Sequence, residues 1–203
     1  MLAEPCINTV AVKKKRKKRY GQYSRRGQIP NHQSINKRQF IVDLRRRYGD
    51  WEVDTVIGRN HKQALVTLAE RKSSLTLMVK VARKTAENVA TVIIKLLKRL
   101  SARVHTITAD NGREFTQHER IARELNTKFY FAHPFSSCER GLNENTNGLI
   151  RQYFPKKHFF VSITSKQIDR GEEKLNNRPR KKSGFKTPKE VFFGIQPNVT
   201  LAN

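Results

Sequence analysis

Residues 51–81 read WEVDTVIGRNHKQALVTLAERKSSLTLMVKV. Three β-rich runs stand out: Trp51–Ile57, ended by Gly58; Ala64–Ala69; and Leu75–Val81. The last two are joined by the polar turn Glu70–Ser74. Runs of β-branched and aliphatic residues bounded by turn residues are strand signals, so the segment predicts an antiparallel meander. The next run, Thr85–Leu100, changes period. Val89, Val92, Ile93, Leu96, Leu97 and Leu100 recur on one helical face behind Thr85 as N-cap. Val104–Thr108 is a short strand broken by Asp110-Asn111-Gly112, Thr116–Leu125 is helical, Lys128–Ala132 is a strand and Pro134–Gly141 a loop. A helix then runs from Gly141 or Leu142 to Phe154, where Pro155 stops it, and Lys166–Asn177 and Pro188–Phe193 read as further helices. Three strands followed by strands alternating with helices predict an α/β fold, a mixed sheet with helices packed over it.

Around this frame the composition narrows the function. The chain has 203 residues, of which 36% are hydrophobic, lean but sufficient for one core if the apolar residues cluster. Its 2 cysteines, Cys6 and Cys138, make no disulfide framework and no CxxC zinc knuckle. No apolar run approaches the roughly 20 residues of a membrane span, and Met1–Val10 is too short and acidic for a signal peptide. A secreted disulfide protein and a membrane protein are excluded on these grounds. Lys plus Arg number 42 against 17 Asp plus Glu, a net charge of +25, which points to a polyanion and above all to nucleic acid.

The charge is concentrated at the ends. Residues 1–50 carry 14 basic and 3 acidic side chains and residues 151–203 carry 12 and 4, whereas residues 51–150 are the most balanced at 16 and 10. Lys13, Lys14, Lys15, Arg16, Lys17, Lys18 and Arg19 form an unbroken basic run in a stretch poor in apolar residues. Residues 1–35 therefore read as a flexible basic arm that binds phosphate; a solvated tail or a localisation signal is the competing reading. Arg178, Arg180, Lys181 and Lys182 form a second basic cluster, expected at the DNA backbone.

Three acids occupy positions a soluble core does not ask for. Asp54 interrupts an apolar strand, Asp110 follows the end of another, and Glu144 lies near the start of a helix. If the first and fourth strands are neighbours, Asp54 and Asp110 meet at the sheet edge, where sites of α/β proteins form. A crossing helix then brings in Glu144. Clustered carboxylates repel unless a cation neutralises them, and hard oxygen ligands suit Mg²⁺ or Mn²⁺. On spacing alone the same residues also read as a turn, a helix N-terminal charge and an edge-strand gatekeeper.

Several stretches resemble the signature blocks of IS30-family bacterial transposases: Gly49–Gly58 (GDWEVDTVIG), Thr106–Phe115 (TITADNGREF), Arg140–Pro155 (RGLNENTNGLIRQYFP), Leu175–Lys181 (LNNRPRK) and Thr187–Val191 (TPKEV). The likeness runs from about Arg25 to Gly194, and 33 residues separate Asp110 from Glu144, the spacing expected of that family's DDE triad. The resemblance implies an RNase H-like, retroviral-integrase-type fold: a mixed five-stranded sheet with helices on both faces. It implies a core over residues 36–160, with residues 161–203 as a helical basic extension packed on it. It also implies that Asp54, Asp110 and Glu144 are catalytic metal ligands, holding two Mg²⁺ or Mn²⁺ ions when DNA is bound.

The activity so implied is cleavage and transfer of DNA strands in insertion-sequence transposition, by a homo-oligomer on double-stranded DNA in the bacterial cytoplasm, at the nucleoid. Arg151 matches the basic residue that DDE recombinases carry seven places after the Glu. With Asn147 and Lys156 it is expected at the DNA. Gly148, in mid-helix, suggests close approach of DNA or backbone. Glu52 shares the strand face of Asp54 and reads as a surface salt bridge more readily than as part of the site. Gly171 reads as an interruption of its helix. Family members carry N-terminal helix-turn-helix domains, for which this chain has no room, so the resemblance is to the catalytic half. An inactive DNA-binding remnant, or a basic RNA-binding protein, is the alternative.

Overall fold

The computed structural model describes residues 29–58, 63–134, 136–156 and 159–196. The basic run Lys13–Arg19 lies outside them. Strands β1 (Asp50–Ile57), β2 (Ala64–Glu70), β3 (Thr76–Val81), β4 (Thr106–Ala109) and β5 (Lys128–Phe131) form one sheet in the order β3-β2-β1-β4-β5. The meander is antiparallel, with Trp51 opposite Glu70 and Asp54 opposite Thr67. β4 and β5 run parallel to β1, with Glu52 level with Thr108. The expected mixed five-stranded sheet is therefore present.

Because strand side chains alternate, β1 sends Trp51 and Val53 to one face of the sheet and Glu52, Asp54 and Val56 to the other. Helices α1 (Ala86–Lys98) and α2 (His118–Leu125) cover the first face. Thr85 caps α1 by accepting from the Asn88 amide, and the helix buries Val89, Ala90, Ile93, Ile94 and Leu97 against Val53, Val66, Leu68 and Ile107. Full burial of an aliphatic side chain of this size contributes about 1.5–3 kcal/mol, far more than helix propensity does. Helices α3 (Gly141–Tyr153) and α4 (Ser165–Asn176) cover the second face, where Ile150, Phe154, Phe160, Ile163, Ile168 and Leu175 pack on Val56, Leu65 and Met78.

The C-terminal elements share these cores. Helix α5 (Pro188–Phe193) carries a capping box between Thr187 and Glu190, and inserts Phe192 against Trp51 and Tyr48, with ring centroids 5.9 Å apart in both cases. Gly171 does not interrupt α4, as its sequence position suggested. It lies buried within the helix, where a Cβ would come 3.0 Å from the Phe154 ring. Residues 29–35, assigned by sequence to the arm, also belong to the folded unit: Ile29 is buried and His32 stacks on Phe131 at 4.7 Å. Among the described residues no helix is long and apolar enough to cross a membrane.

The outer edge of β3 is closed by side chains of α4, which removes a template for edge-to-edge pairing. The Asn176 amide both accepts from Thr76 N–H (2.8 Å) and donates to Thr76 C=O (2.7 Å), and Glu172 Oε2 accepts from Met78 N–H (2.6 Å). Burial pushes the Glu172 carboxyl up to about 7; the Met78 amide opposes this and Asp169 adds to it. A carboxyl raised in the fold from its ordinary 4.5 stabilises the protein fully below that value, and this contribution is lost as pH rises through about 7. Glu172→Gln is expected to be more stable than wild type by about 1–2 kcal/mol at pH 8 after allowance for solvent screening, with the gap closing toward pH 5. Urea denaturation at the two pH values checks this.

Candidate active site

The parallel pairing of β1 and β4 puts Asp54 and Asp110 side by side on the α3 face. In each carboxylate one oxygen is fixed by a backbone amide. Asp54 Oδ1 accepts from Thr55 N–H at 2.8 Å, and Asp110 Oδ1 accepts from Gly112 N–H at 2.9 Å. The Gly112 backbone has φ −68°, open to any residue, but a Cβ there would sit 2.5 Å from Glu114 Oε2 and 2.9 Å from Asp110 Oδ1. A side chain at 112 would therefore require the Glu114 and Asp110 carboxylates to shift, whereas the backbone conformation itself makes no demand for glycine. Asn111 closes the turn by donating to Ala132 C=O at 2.7 Å.

The second oxygens face a common cation. Arg140 places Nη2 3.3 Å from Asp110 Oδ2 and Nη1 3.7 Å from Asp54 Oδ2. Asn147 donates from Nδ2 to the same Asp54 Oδ2 at 2.8 Å. Burial holds the Asp54 carboxyl above the ordinary carboxylate range; Arg140 pulls it back down, and the Asp110 charge pushes it further up. An acid pair with a shared counter-cation is the electrostatic arrangement that neighbouring carboxylates require.

Glu144 lies on the first turn of α3, exposed, and among the described residues its carboxylate has no hydrogen-bond or ion-pair partner. Arg140, Glu144, Asn147 and Arg151 follow one another at helical spacing and share one stripe. The structure thus brings two of the three predicted acids together and sets the third on the stripe that overhangs them. Among the described residues no three His, Cys, Asp or Glu side chains form a group that could hold an ion.

Glu52 is not the surface salt bridge its position suggested. Its side chain is fully buried and pairs with Arg71 Nη1, while Oε2 accepts from Asn143 N–H at 3.1 Å. The cause is α3, which lies over this face of β1 and seals Glu52 from water. Arg71, itself only 5% exposed, also donates to Val42 C=O at 3.2 Å. Asn143 donates to Val53 C=O at 3.3 Å. The start of α3, and with it Arg140 and Glu144, is therefore tied to β1 beside Asp54.

The expected DNA-contact residues divide. Asn147 is engaged with Asp54 rather than free. Arg151 donates Nη2 to Ile57 C=O at 2.9 Å, at the far end of β1. Lys156, Arg178 and Lys181 are exposed. Arg180 donates to Leu175 C=O at 3.2 Å and Lys182 to Ser74 Oγ at 2.5 Å, which places this cluster beside the β2–β3 turn rather than at the acid pair. A Cβ on Gly148 would meet nothing within 4 Å, so no backbone packs there as its mid-helix position had suggested. Trp51 is buried and donates to Arg103 C=O at 3.0 Å, as a core residue should. Sequence reading missed Arg140, although its place four residues before Glu144 put it on the same helical stripe.

Residues 45–137 match the family model described as the integrase core domain. The chain is 49% identical over 188 residues to the transposase for insertion sequence element IS4351 of Bacteroides fragilis, covering 92% of this chain and 58% of that protein. It is 38% identical over 193 residues to transposase InsI for insertion sequence element IS30A of Escherichia coli (strain K12), covering 92% and 50%. The chain thus spans about half the length of the curated relatives it matches. Among solved structures, the HTLV-2 integrase catalytic core in complex with magnesium superposes with a TM-score of 0.56 at 17% identity, over 72% of this chain and 97% of that one. That likeness is one of fold, and identifies the sheet and its helices as RNase H-like.

Proposed function

We propose that the chain, similar to IS30-type DDE transposases over 92% of its length, carries their catalytic site, with Asp54, Asp110 and Glu144 as the acids that hold divalent cations for DNA strand cleavage and transfer. The observation that carries this reading is the convergence of Asp54 and Asp110, 56 positions apart in sequence, with both Oδ2 atoms turned to one cationic group. The donor set fits a hard divalent ion, since both atoms are carboxylate oxygens already placed to share a positive charge. Such an ion, Mg²⁺ or Mn²⁺, lowers the pKa of an attacking water or DNA 3′-hydroxyl and stabilises the leaving oxygen when bound.

The chain's own residues supply the rest. The backbone amides of Thr55 and Gly112 orient the two aspartates, and Asn147 fixes the rotamer of Asp54. Glu144 joins them from α3, whose start is pinned by Glu52 and Asn143. Arg151, Lys156 and the exposed basic residues of the C-terminal part neutralise phosphates, and a net charge of +25 draws DNA in from a distance. Pairing of two DNA ends calls for at least two protomers on the DNA. The place of action on this reading is the nucleoid, in the bacterial cytoplasm.

The test is incubation of the purified chain with supercoiled plasmid. Nicked and joined products are expected in Mg²⁺ or Mn²⁺ and none in EDTA. A protein that binds DNA but nicks it in neither metal is the inactive remnant instead.

A further inference from the structure

The Arg140 guanidinium occupies the position between the two aspartates that a shared cation would take. Its Nη2 reaches Asp110 Oδ2 at 3.3 Å and its Nη1 stands 3.7 Å from Asp54 Oδ2. The contact is half-buried, with the Arg140 side chain 15% exposed and that of Asp54 18%. Yet the guanidinium is held loosely. Nη1 is buried without a hydrogen-bond partner, and the Nη2 contact is long for a charge-assisted bond. Both aspartates, by contrast, are fixed firmly through Oδ1 by backbone amides, so the Oδ2 atoms stay in place whether or not the arginine does.

We infer that Arg140 is a resident counter-cation of the acid pair: it neutralises the charges of Asp54 and Asp110 before a divalent ion arrives, and must withdraw from them for that ion to bind. This rests on the reading of the aspartates as cation ligands. Withdrawal is open to it, because Arg140 lies one residue before α3 and, among the described residues, its side chain is anchored through these acids alone. Glu144, one turn further along the same stripe, is free of partners among the described residues and available once the arginine has left. Metal loading is thereby coupled to the movement of one side chain. A site that is open only part of the time shows an apparent affinity reduced by that fraction.

Binding of Mn²⁺ to the DNA-free protein, followed by loss of the free-ion electron paramagnetic resonance signal, tests this without any activity measurement. Arg140→Gln is expected to bind Mn²⁺ about three- to tenfold more tightly than wild type, and Asp110→Asn to weaken binding in both backgrounds. In thermal melts, Arg140→Gln should start lower than wild type without metal and gain more on adding Mn²⁺. If that variant does not fold, Arg140→Lys carries the test: a point charge cannot span two carboxylates as the guanidinium fork does, and tightening of about twofold or more is expected. Binding that depends on Asp110 but is equal or weaker without Arg140 overturns this inference alone. Absence of Mn²⁺ binding by wild type and variants overturns it together with the reading it rests on.

Discussion

Replacing Glu52 by alanine is expected to cost about 3–5 kcal/mol of folding stability, the usual loss when one member of a buried ion pair is removed. The Glu52 side chain is fully buried and its partner Arg71 is 5% exposed, so the arginine left behind keeps a charge that water cannot reach. Its remaining acceptors are Val42 C=O and, at 3.4 Å, an Asp43 carboxylate that is half in solvent. The substitution also orphans Asn143 N–H at the start of α3. Glu52→Gln keeps the shape and an acceptor for that amide, and is expected to lose less. Removing Arg71 in the Glu52→Ala background should return part of the stability, because no unpaired charge is then buried. Chemical denaturation of the single and double variants measures all three terms. A Glu52→Ala loss below about 1 kcal/mol would mean that water reaches this pair and that α3 does not seal it.

Asp110→Asn is expected to reduce DNA nicking by a factor of about 10³ or more, equivalent to roughly 4 kcal/mol of transition-state stabilisation. Asparagine retains the size of the side chain and an oxygen for Gly112 N–H, so the turn should survive. What is lost is one of two negative charges directed at the shared cation position. DNA affinity should be unchanged or slightly higher, since the substitution makes an already basic chain more positive. Glu144→Gln should show the same separation of chemistry from binding. Single-turnover nicking rates beside fluorescence anisotropy with the same DNA distinguish the two. Rates within tenfold of wild type for Asp110→Asn would remove the acid pair from the chemistry.

Much of this architecture was legible because it is local. The β-rich run Trp51–Ile57 and the N-cap Thr85 each mark an element that the structure contains. Asp54 and Asp110 could be singled out because one interrupts an apolar strand and the other stands at the end of another. Features that depend on packing between distant segments were not legible. The turn Glu70–Ser74 reads as a polar turn, and nothing local shows that Glu70 is fully buried, accepting from Gly49 N–H, Ser73 N–H and Ser73 Oγ. Glu52 looked like a surface charge because nothing in β1 says that a helix 91 residues later will cover it. Gly171 looked like a helix breaker because the Phe154 ring that requires its missing Cβ comes from another helix boundary. Arg140 lay on a readable stripe, but its seat between two aspartates is set by the parallel β1–β4 pairing.

The most direct examination of the acid site is a crystal structure with Mn²⁺ and DNA, read by anomalous scattering. The predicted result is a manganese peak within bonding distance of the Oδ2 atoms of Asp54 and Asp110, with the Glu144 carboxylate turned onto it and the Arg140 guanidinium displaced. Density for manganese elsewhere only, with Arg140 still lodged between the two aspartates in a protein that cuts DNA, would contradict it.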